Sequence, residues 1–464
     1  MIRPLPDHTR VRKSSLEVSP ISQPTVISRS EHTISRANIS PNAVKVLYRL
    51  REAGFRGCLV GGGVRDLLLG REPKDFDVAT DARPEQVYKL FRNCRLIGRR
   101  FRLAHVQFDR EIVEVATFRG RGGESEDGEG PSVERTVSGR ILSDNVYGGI
   151  EEDAWRRDFT VNALYYDIDR FVVLDYVGGL ADLKAGLIRL IGDPAQRYQE
   201  DPVRLLRAVR FAAKLGFQID PATAAPLHRL GHLLEQIPSA RLFDEVLKLF
   251  LNGSAIQTFE LLRHYRLFGC LFPATERCLN HQQAHYPKTL LTRALANTDN
   301  RLAEDKPVNP AFLFAALLWE PLRERMRELQ AKGLDETEAL QIAADGVIQE
   351  QLRHTALPRR HSLPMREIWE MQQRLTVVSG KRPLRLLGHP RFRAAYDFLL
   401  LRAEADDEAR ALADWWTGFL ALDDAGRLQA TQPATGAKKG KPRRRRKLRS
   451  ARKGAPDRTL HPET

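Results

Sequence analysis

The apolar residues of this chain of 464 residues change their spacing once, and that change limits the folds that are open to it. Over the first 200 residues, short segments such as 103–108 and 112–118 alternate apolar and polar residues, which predicts strands. Further along, apolar residues recur at helical spacing, as in 202–215, 241–251 and 310–328. The sequence therefore predicts an α+β fold, in which a small mixed sheet with helices precedes an all-helical part.

Two stretches in the N-terminal part lack any such pattern. Residues 1–39 are rich in Ser, Pro and Arg, which predicts a flexible arm. Order is expected to begin at Ser40, as a helix N-cap, and Pro41, which suits the first helical position. Residues 120–140 are rich in Gly, Ser and Glu and have almost no apolar content, which predicts a mobile loop inserted in the first domain.

Basic residues dominate the charge of the chain. The formal net charge is +15, which favours a polyanionic partner, either nucleic acid or an anionic membrane. Residues 438–464 hold twelve Lys or Arg residues against two acids, so the rest of the chain carries only +5. This tail, taken from residue 426, is expected to be disordered and to attract RNA phosphates. A solvated run without a ligand, a protein partner and a membrane surface remain as alternatives.

Cysteine usage and hydropathy indicate a cytoplasmic protein. The four cysteines include no Cys-x-x-Cys pair and no zinc-binding spacing, which fits reduced thiols. The polar N-terminus is unlike a signal peptide, and the longest apolar stretch, 311–319, is too short to span a bilayer. We therefore expect no stable membrane insertion.

The strongest chemical motif joins a glycine turn to a pair of acids. Gly-Gly-Gly-Val-Arg-Asp at 61–66 follows an apolar strand and opens a helix, and Lys-Asp-Phe-Asp at 74–77 comes next. Glycine lets backbone N–H groups approach a triphosphate at a helix N-terminus. On a strand, Asp75 and Asp77 would point the same way and offer two carboxylates, which hard divalent cations prefer. Either element alone is weak, but the combination is much more specific, and it supplies what nucleotidyl transfer with two metal ions needs.

This combination resembles the nucleotidyltransferase superfamily that contains tRNA CCA-adding enzymes and bacterial poly(A) polymerases. The resemblance implies that Asp75 and Asp77 bind the catalytic metals, Mg²⁺ or Mn²⁺. It also implies that Gly61, Gly62 and Arg65 contact the nucleotide.

A second segment, Arg-Arg-Asp-Phe-Thr-Val-Asn at 156–162, resembles the part of that family that binds the nucleotide sugar. The resemblance implies that Arg157 contacts the nucleotide, that Asp158 is a further catalytic acid and that Asn162 lies near the ribose. An acid flanked by two arginines is expected to stay ionised, although a surface ion-pair cluster is the alternative. Glu114, a charge in an apolar strand, is expected at a sheet edge or at the metal site, and we predict the latter.

The third motif, Glu-Asp-Pro-Val-Arg-Leu-Leu-Arg-Ala-Val-Arg at 200–210, places Arg204, Arg207 and Arg210 on one helix face. Arginine forks suit base edges and phosphates. The resemblance implies that Asp201 and Arg204 read the ATP base while Arg207 and Arg210 bind its phosphates. Asp201 also precedes Pro202 and could cap the helix, and both roles remain open.

Three features favour a poly(A) polymerase over a CCA-adding enzyme. Residues 96–106 look like a segment typical of bacterial poly(A) polymerases, and the basic run at 443–447 resembles the end of those enzymes. Ala240 stands where CCA-adding enzymes usually carry a glutamate. A CCA-adding enzyme remains the alternative. A non-catalytic RNA-binding protein is disfavoured because Asp75, Asp77 and Asp158 are all present.

The resemblance covers about residues 30–420 and implies a division into domains and a set of partners. A catalytic head at 40–192 would be followed by a helical neck, which binds nucleotide and RNA, a helical body with an RNA-binding region, and the basic tail. The last three would span 193–255, 256–425 and 426–464. The implied substrates are ATP and the 3′ ends of mRNA, decay fragments and small RNAs, with RNA-decay proteins as further partners.

The composition of the tail generates a test of its ligand. Truncation after Thr435 removes all twelve basic residues counted above and no catalytic motif. We expect weaker RNA binding with a flatter dependence on salt, because fewer counterions are released, and little change in the ATP requirement at saturating RNA. RNA affinity of the full and truncated chains at several salt concentrations checks this. Equal affinities with parallel salt slopes would assign the tail to a different ligand or to none.

Overall fold

The structure is a computed structural model. It describes residues 23–98, 102–120, 134–135, 141–143, 146–281, 290–404 and 406–432, with the backbone alone at 134–135, 141–143 and 281. Most of the loop predicted at 120–140, part of the segment at 96–106 and the tail from residue 433 lie outside the described residues. The prediction of a disordered tail from residue 426 is wrong for residues 426–432, because a helix over Asp424–Ala430 runs across its start. The same holds for residues 1–22 of the predicted arm.

The strands in the described ranges are numbered in chain order. They are β1 (Thr25–Ile27), β2 (Gly57–Val60), β3 (Asp77–Thr80), β4 (Cys94–Ile97), β5 (Leu103–Phe108), β6 (Glu111–Thr117), β7 (Glu134–Arg135), β8 (Ile141–Ser143), β9 (Leu164–Asp167), β10 (Val172–Asp175), β11 (Leu187–Ile188) and β12 (Gln218–Ile219). Eight of them form one sheet in the order β1-β10-β9-β2-β3-β6-β5-β4. Neighbours are antiparallel except β3 and β6, which are parallel. The predicted mixed sheet is therefore confirmed.

Helices flank the sheet and then make up most of the described chain. Those up to residue 230 are α1 (Pro41–Glu52), α2 (Gly62–Leu68), α3 (Pro84–Leu90), α4 (Ile150–Arg156), α5 (Gly179–Ala185), α6 (Pro194–Glu200), α7 (Val203–Leu215), α8 (Pro221–Ala224) and α9 (Leu227–Leu230). Those that follow are α10 (Ser239–Phe250), α11 (Ala255–His264), α12 (Phe268–Leu271), α13 (Pro273–His281), α14 (Leu290–Ala303), α15 (Pro310–Leu317), α16 (Trp319–Ala331), α17 (Glu336–Leu352), α18 (Arg359–Leu375), α19 (Arg382–Leu387), α20 (Phe392–Ala403), α21 (Asp407–Ala421) and α22 (Asp424–Ala430). None of the described helices is long and apolar enough to cross a bilayer.

The predicted start of α1 is confirmed, but the prediction of a flexible arm over 1–39 is wrong for residues 23–39. Ser40 Oγ accepts hydrogen bonds from the first turn of α1, and Pro41 opens the helix. Ahead of it, β1 pairs with β10 along the sheet edge. Ile27, Ile34 and Ile39 are buried in the core of the sheet domain. Three scattered isoleucines thus offset the ordering entropy of a segment whose average composition is polar.

One predicted helix is divided in two. The sequence predicts a helix over 310–328, whereas α15 ends at Leu317 and α16 begins at Trp319. Pro321 accounts for the break. In a continuous helix its ring would clash with the carbonyl group of Leu317, and it has no N–H to donate to that carbonyl. In α16 it stands in the first turn, where proline is tolerated.

The helical part is joined to the sheet domain by a short parallel ladder and by α7. Strand β12, just beyond α7, pairs with β11 at the end of the sheet domain, so the predicted all-helical part also contains one short strand. Val203, Leu205, Leu206 and Val209 lie on the buried face of α7. Their burial fixes the direction in which the opposite face of the helix points.

The packing of residues 23–39 generates a stability prediction. Ile34 is 1% exposed and Val26 is 55% exposed. We expect Ile34→Ala to lower the free energy of unfolding by about 2–4 kcal/mol, because it leaves a cavity. The matched control Val26→Ala should change it by less than about 0.5 kcal/mol. Urea unfolding of both variants measures this, and equally small effects would mean that the segment is not packed.

Candidate active site

The glycine turn packs directly onto the acidic segment. Gly61 has a φ of +75°, which favours glycine, and links β2 to α2. A Cβ atom on Gly61 would lie 3.4 Å from Asp77 Oδ2 and 3.8 Å from Arg157 Nη1. A Cβ atom on Gly63 would lie 3.3 Å from the carbonyl oxygen of Asp75. The antiparallel pairing of β2 with β3 therefore brings the two halves of the strongest motif together.

The two acids differ in their surroundings. The sequence predicts Asp75 and Asp77 on one strand. Strand β3 begins only at Asp77, so Asp75 lies just ahead of the strand. Asp75 is exposed, whereas Asp77 is half-buried. Burial and the charge of Glu114 raise the pKa of Asp77 to about 6, with Arg157 opposing the shift and Asp75 adding to it. Negative charge is therefore concentrated at this end of the sheet.

Glu114 lies in the interior of the sheet and not at an edge. It stands opposite Asp77 on one side and opposite His105 on the other. Its Oε1 atom is 3.2 Å from His105 Nε2, which is an ion-pair distance without hydrogen-bond geometry. Within the described ranges, no group of three or more His, Cys, Asp and Glu side chains is arranged to hold a metal by itself. The place of Glu114 in the metal site stays a prediction.

Asp158 is the centre of a polar cluster. Its Oδ2 atom accepts from Arg207, at 2.6 Å from Nε and 2.5 Å from Nη2. Its Oδ1 atom accepts from the backbone N–H of Phe159 at 2.8 Å and from Asn162 at 3.4 Å. Burial acts to raise the pKa of Asp158, but the Arg207 charge and these hydrogen bonds outweigh it and lower the pKa to about 2. The expected ionised state is confirmed, but its main cause is an arginine of α7 and not the flanking arginines.

Arg157 is held by two residues that the sequence analysis missed. Its Nη2 is 2.9 Å from Asp153 Oδ2, and its Nε is 2.9 Å from the Tyr165 hydroxyl. Tyr165 in turn donates to Asp153 Oδ2 at 2.6 Å. Asp153 and Arg157 stand four residues apart at the end of α4, a spacing that could have indicated the pair. The resulting cluster fixes the guanidinium beside Gly61 and Asp77.

Arg65 and Asn162 are brought together from elements that are distant in sequence. Arg65 is 2% exposed, and its Nη1 donates to Asn162 Oδ1 at 2.6 Å. Its Nε and Nη2 atoms donate to Asp66 at 2.8 and 2.7 Å. Arg65 therefore orients the amide that also touches Asp158.

The α7 arginines are more enclosed than the sequence predicts. Side chains of Arg204, Arg207 and Arg210 are 12%, 30% and 11% exposed. Each one meets a carboxylate. The pairs are Arg204 with Glu200 at 3.2 Å, Arg207 with Asp158, and Arg210 with Glu245 at 3.1 Å. The expected open face of guanidinium groups is thus a set of ion pairs, and each pair restricts the orientation of its guanidinium group.

Asp201 accepts a backbone hydrogen bond at the start of α7 and also pairs with an arginine of α10. Its Oδ1 accepts from the backbone N–H of Val203 at 3.4 Å, which supports the capping alternative, although Pro202 occupies the N-cap position itself. Its Oδ2 accepts from Arg241 at 2.8 Å. Arg241 directly follows Ala240, so the segment that distinguishes the two predicted activities lies against the proposed base-reading acid. Sequence reasoning found Asp201 but missed Arg241 and Glu245.

Three family models match the chain. Residues 58–189 match the "Poly A polymerase head domain", and residues 216–279 match the "Probable RNA and SrmB-binding site of polymerase A". Residues 332–450 match the "Polymerase A arginine-rich C-terminus". The head-domain match contains the glycine turn, the acid pair and Asp158.

Similar proteins of known identity support the same family. Poly(A) polymerase I of Escherichia coli O6:H1 is 52% identical over 447 residues, which is 94% of this chain and 93% of that protein. A CCA-adding enzyme of Bacillus pumilus is 36% identical over 49% of this chain and 54% of that enzyme. The crystal structure of the Bacillus stearothermophilus CCA-adding enzyme in complex with CTP has a TM-score of 0.53 at 23% identity, over 84% of this chain and 88% of that one. The structural likeness shows a shared fold, whereas the sequence likeness extends over nearly the whole chain for the polymerase.

The ion pair of Asp158 generates a pH-dependent prediction. The folded pKa of about 2 lies below the unfolded value of about 3.9, so the stabilisation is complete above about pH 4 and is lost as the pH falls towards 2. We expect Asp158→Asn to lower the free energy of unfolding by about 2–3 kcal/mol at pH 7 and by less under acid conditions. Urea unfolding across that pH range measures the difference.

The control for this prediction is Asp169→Asn, which removes an exposed ion pair with Arg51. Its cost should stay below about 1 kcal/mol at every pH. A difference between wild type and Asp158→Asn that does not depend on pH would contradict the assignment of the low pKa to Asp158.

Proposed function

The chain belongs to the bacterial poly(A) polymerase I family, and we propose that it adds adenosines to RNA 3′ ends without a template, using ATP and releasing pyrophosphate. The observation that carries this proposal is the contact of the glycine turn with the acid pair, where Gly61 approaches Asp77 and Arg157. Backbone N–H groups, carboxylates and a guanidinium thus meet at one point, as transfer of a nucleotide from a triphosphate requires. Likeness to a poly(A) polymerase over nearly the whole chain supports ATP as the nucleotide and RNA as the acceptor.

The acid pair fits a divalent cation. Asp75 and Asp77 supply only carboxylate oxygens, which suit Mg²⁺ or Mn²⁺, and Mg²⁺ commonly binds through one or two carboxylates together with substrate phosphates. Burial first, and then the charges of Glu114 and Asp75, raise the pKa of Asp77, and a bound cation would offset all of these effects. When bound, the metal would lower the pKa of the attacking hydroxyl and neutralise the leaving pyrophosphate. Glu114 is proposed as the third residue of this metal site.

The proposed reaction is attack of the RNA 3′-hydroxyl on the α-phosphate of ATP. The bond between the 3′ oxygen and the α-phosphorus forms, the bond from that phosphorus to the bridging oxygen of the β-phosphate breaks, and the hydroxyl proton passes to solvent. We assign no separate protein base. Arg157, held by Asp153 and Tyr165, would orient the nucleotide beside the acid pair. Asn162, held by Arg65, would contact the ribose.

The first turns of α7 would select and hold ATP. Asp201 and Arg204 are proposed to read the base, and their bonds to Arg241 and Glu200 limit the orientations that they can adopt. Arg207 and Arg210 are proposed to bind the triphosphate. A fixed acceptor and a fixed donor of this kind give specificity because a wrong base cannot satisfy both.

The wider role follows from the family. We propose that the protein acts in the cytoplasm on mRNA, decay fragments and small RNAs, that its products promote RNA decay, and that RNA-decay proteins are further partners. The match of residues 216–279 to a probable RNA-binding region supports RNA contact by the segment after α7. The domain limits at 192 and 255 remain proposals, whereas the limit at 425 is not kept, because it would divide α22.

The function is tested by incubating the purified full chain with Mg²⁺, a generic RNA and each labelled nucleotide in turn. We expect a long ladder with ATP alone. The matched variant Asp77→Ala should reduce transfer on the order of 10³-fold, since several kcal/mol of charge stabilisation are lost. Its thermal unfolding midpoint should be equal or higher, because one repelling carboxylate is gone.

The control variant Asp169→Ala changes an exposed acid outside the site and should keep the wild-type rate. Addition that stops after C-C-A on a tRNA acceptor would assign the chain to the CCA-adding activity instead. Near wild-type transfer by Asp77→Ala would overturn the proposed metal site.

A further inference from the structure

Phe211 lies among three arginine side chains that come from both sides of the junction between sheet and helices. Its ring centroid is 5.5 Å from the guanidinium carbon of Arg65, 5.2 Å from that of Arg207 and 5.1 Å from that of Arg210. Arg65 belongs to α2 beside the sheet, whereas the other two belong to α7. One aromatic ring therefore contacts three cationic groups at once.

Each of these guanidinium groups is also paired with one carboxylate. The pairs are Arg65 with Asp66 at 2.7 Å, Arg207 with Asp158 at 2.5 Å and Arg210 with Glu245 at 3.1 Å. A carboxylate attracts a guanidinium group from many directions, whereas an aromatic ring attracts it only when the group lies over the face of the ring. The ring therefore adds a restraint on position that the ion pairs alone do not supply.

Phe211 also reaches the backbone that holds Asp158. Its ring meets the ring of Phe159 edge to face, with centroids 5.6 Å apart and an interplanar angle of 79°. Phe159 is fully buried, and its backbone N–H donates to Asp158. The ring thus touches both Arg207 and the residue beside Asp158, which are the two sides of the ion pair that joins α7 to the sheet domain.

We propose that Phe211 is a positioning residue, which holds Arg207 and Arg210 in register with Arg65 and Asp158 so that they can receive the triphosphate. The proposal rests on the proposed function, because the triphosphate is assigned to Arg207 and Arg210 there. Phe211 itself need not touch the substrate. Its effect passes through the guanidinium groups that its ring contacts.

Simple core packing is the alternative role, and side-chain chemistry separates the two. Phe211→Leu keeps an apolar side chain but removes the electron-rich ring, whereas Phe211→Tyr keeps the ring. A packing role predicts that Phe211→Leu has the same small effect as a Phe→Leu substitution at another half-buried position. A positioning role predicts that only an aromatic residue restores nucleotide binding. Phe217, which is half-buried in the same core just beyond α7, offers the matched substitution Phe217→Leu.

The experiment measures kcat and KM for ATP of the full chain at saturating RNA, ATP binding without RNA, and thermal unfolding. For Phe211→Leu we expect KM and the dissociation constant for ATP to rise about tenfold, which corresponds to about 1.4 kcal/mol, while kcat changes less than about threefold. Phe211→Tyr and Phe217→Leu should stay within about twofold of wild type. Should Phe211→Leu fail to fold, Phe211→Met is the replacement, since it is also apolar and unbranched at Cβ.

Two results would overturn the inference. One is an unchanged affinity for ATP in folded Phe211→Leu or Phe211→Met, and the other is an equal loss in Phe211→Tyr. Failure of the proposed function looks different, because the wild-type chain would then not polymerise adenosine at all. A fall in unfolding temperature alone, with unchanged KM, would assign Phe211 to core packing.

Discussion

The ion pair between Asp158 and Arg207 is the interaction on which the rest of the site depends. It joins the start of the segment after α4 to the middle of α7, with the side chains of Arg207 and Asp158 30% and 12% exposed. Removal of one partner from such a pair leaves the other charge without compensation, which is costly. The pair therefore fixes where α7 lies against the sheet domain, and α7 carries the other arginines of the site.

The hydrogen bonds around this pair form one connected set. Asn162 touches Asp158 and is held by Arg65, and Arg65 is held by Asp66. Because these donors already have a defined direction, the proposed binding of a charged substrate would need little reorganisation, and such preorganisation is a main source of electrostatic catalysis. The acid pair at the end of β3 is different, since its carboxylates repel one another and lie beside a cation site that is so far only proposed.

The sequence was most informative where local pattern decides structure. The mixed sheet, the helical remainder, the start of α1 at Ser40 and the closeness of the glycine turn to the acid pair could all be predicted, because periodicity, capping and motif spacing are local properties. It was least informative about partners from distant segments. Nothing near Asp158 in sequence indicates that Arg207 governs its charge, or that Arg241 lies against Asp201. The packing of residues 23–39 was missed for the same reason, because it depends on β10 and on a core made elsewhere.

The order of strands in the sheet has a consequence for protein synthesis. Strand β2, which carries the glycine turn, pairs with β9, so that Leu59 meets Tyr166. Arg65 donates a hydrogen bond to Asn162, which lies 97 positions later, and Asp201 accepts one from Arg241, which lies 40 positions later. A ribosome releases the chain from its N-terminus, so the acid pair emerges long before the groups that complete the site. A nascent chain shorter than 241 residues therefore lacks Arg241, the partner that holds Asp201, so the candidate site is completed only after the first 241 residues have been made.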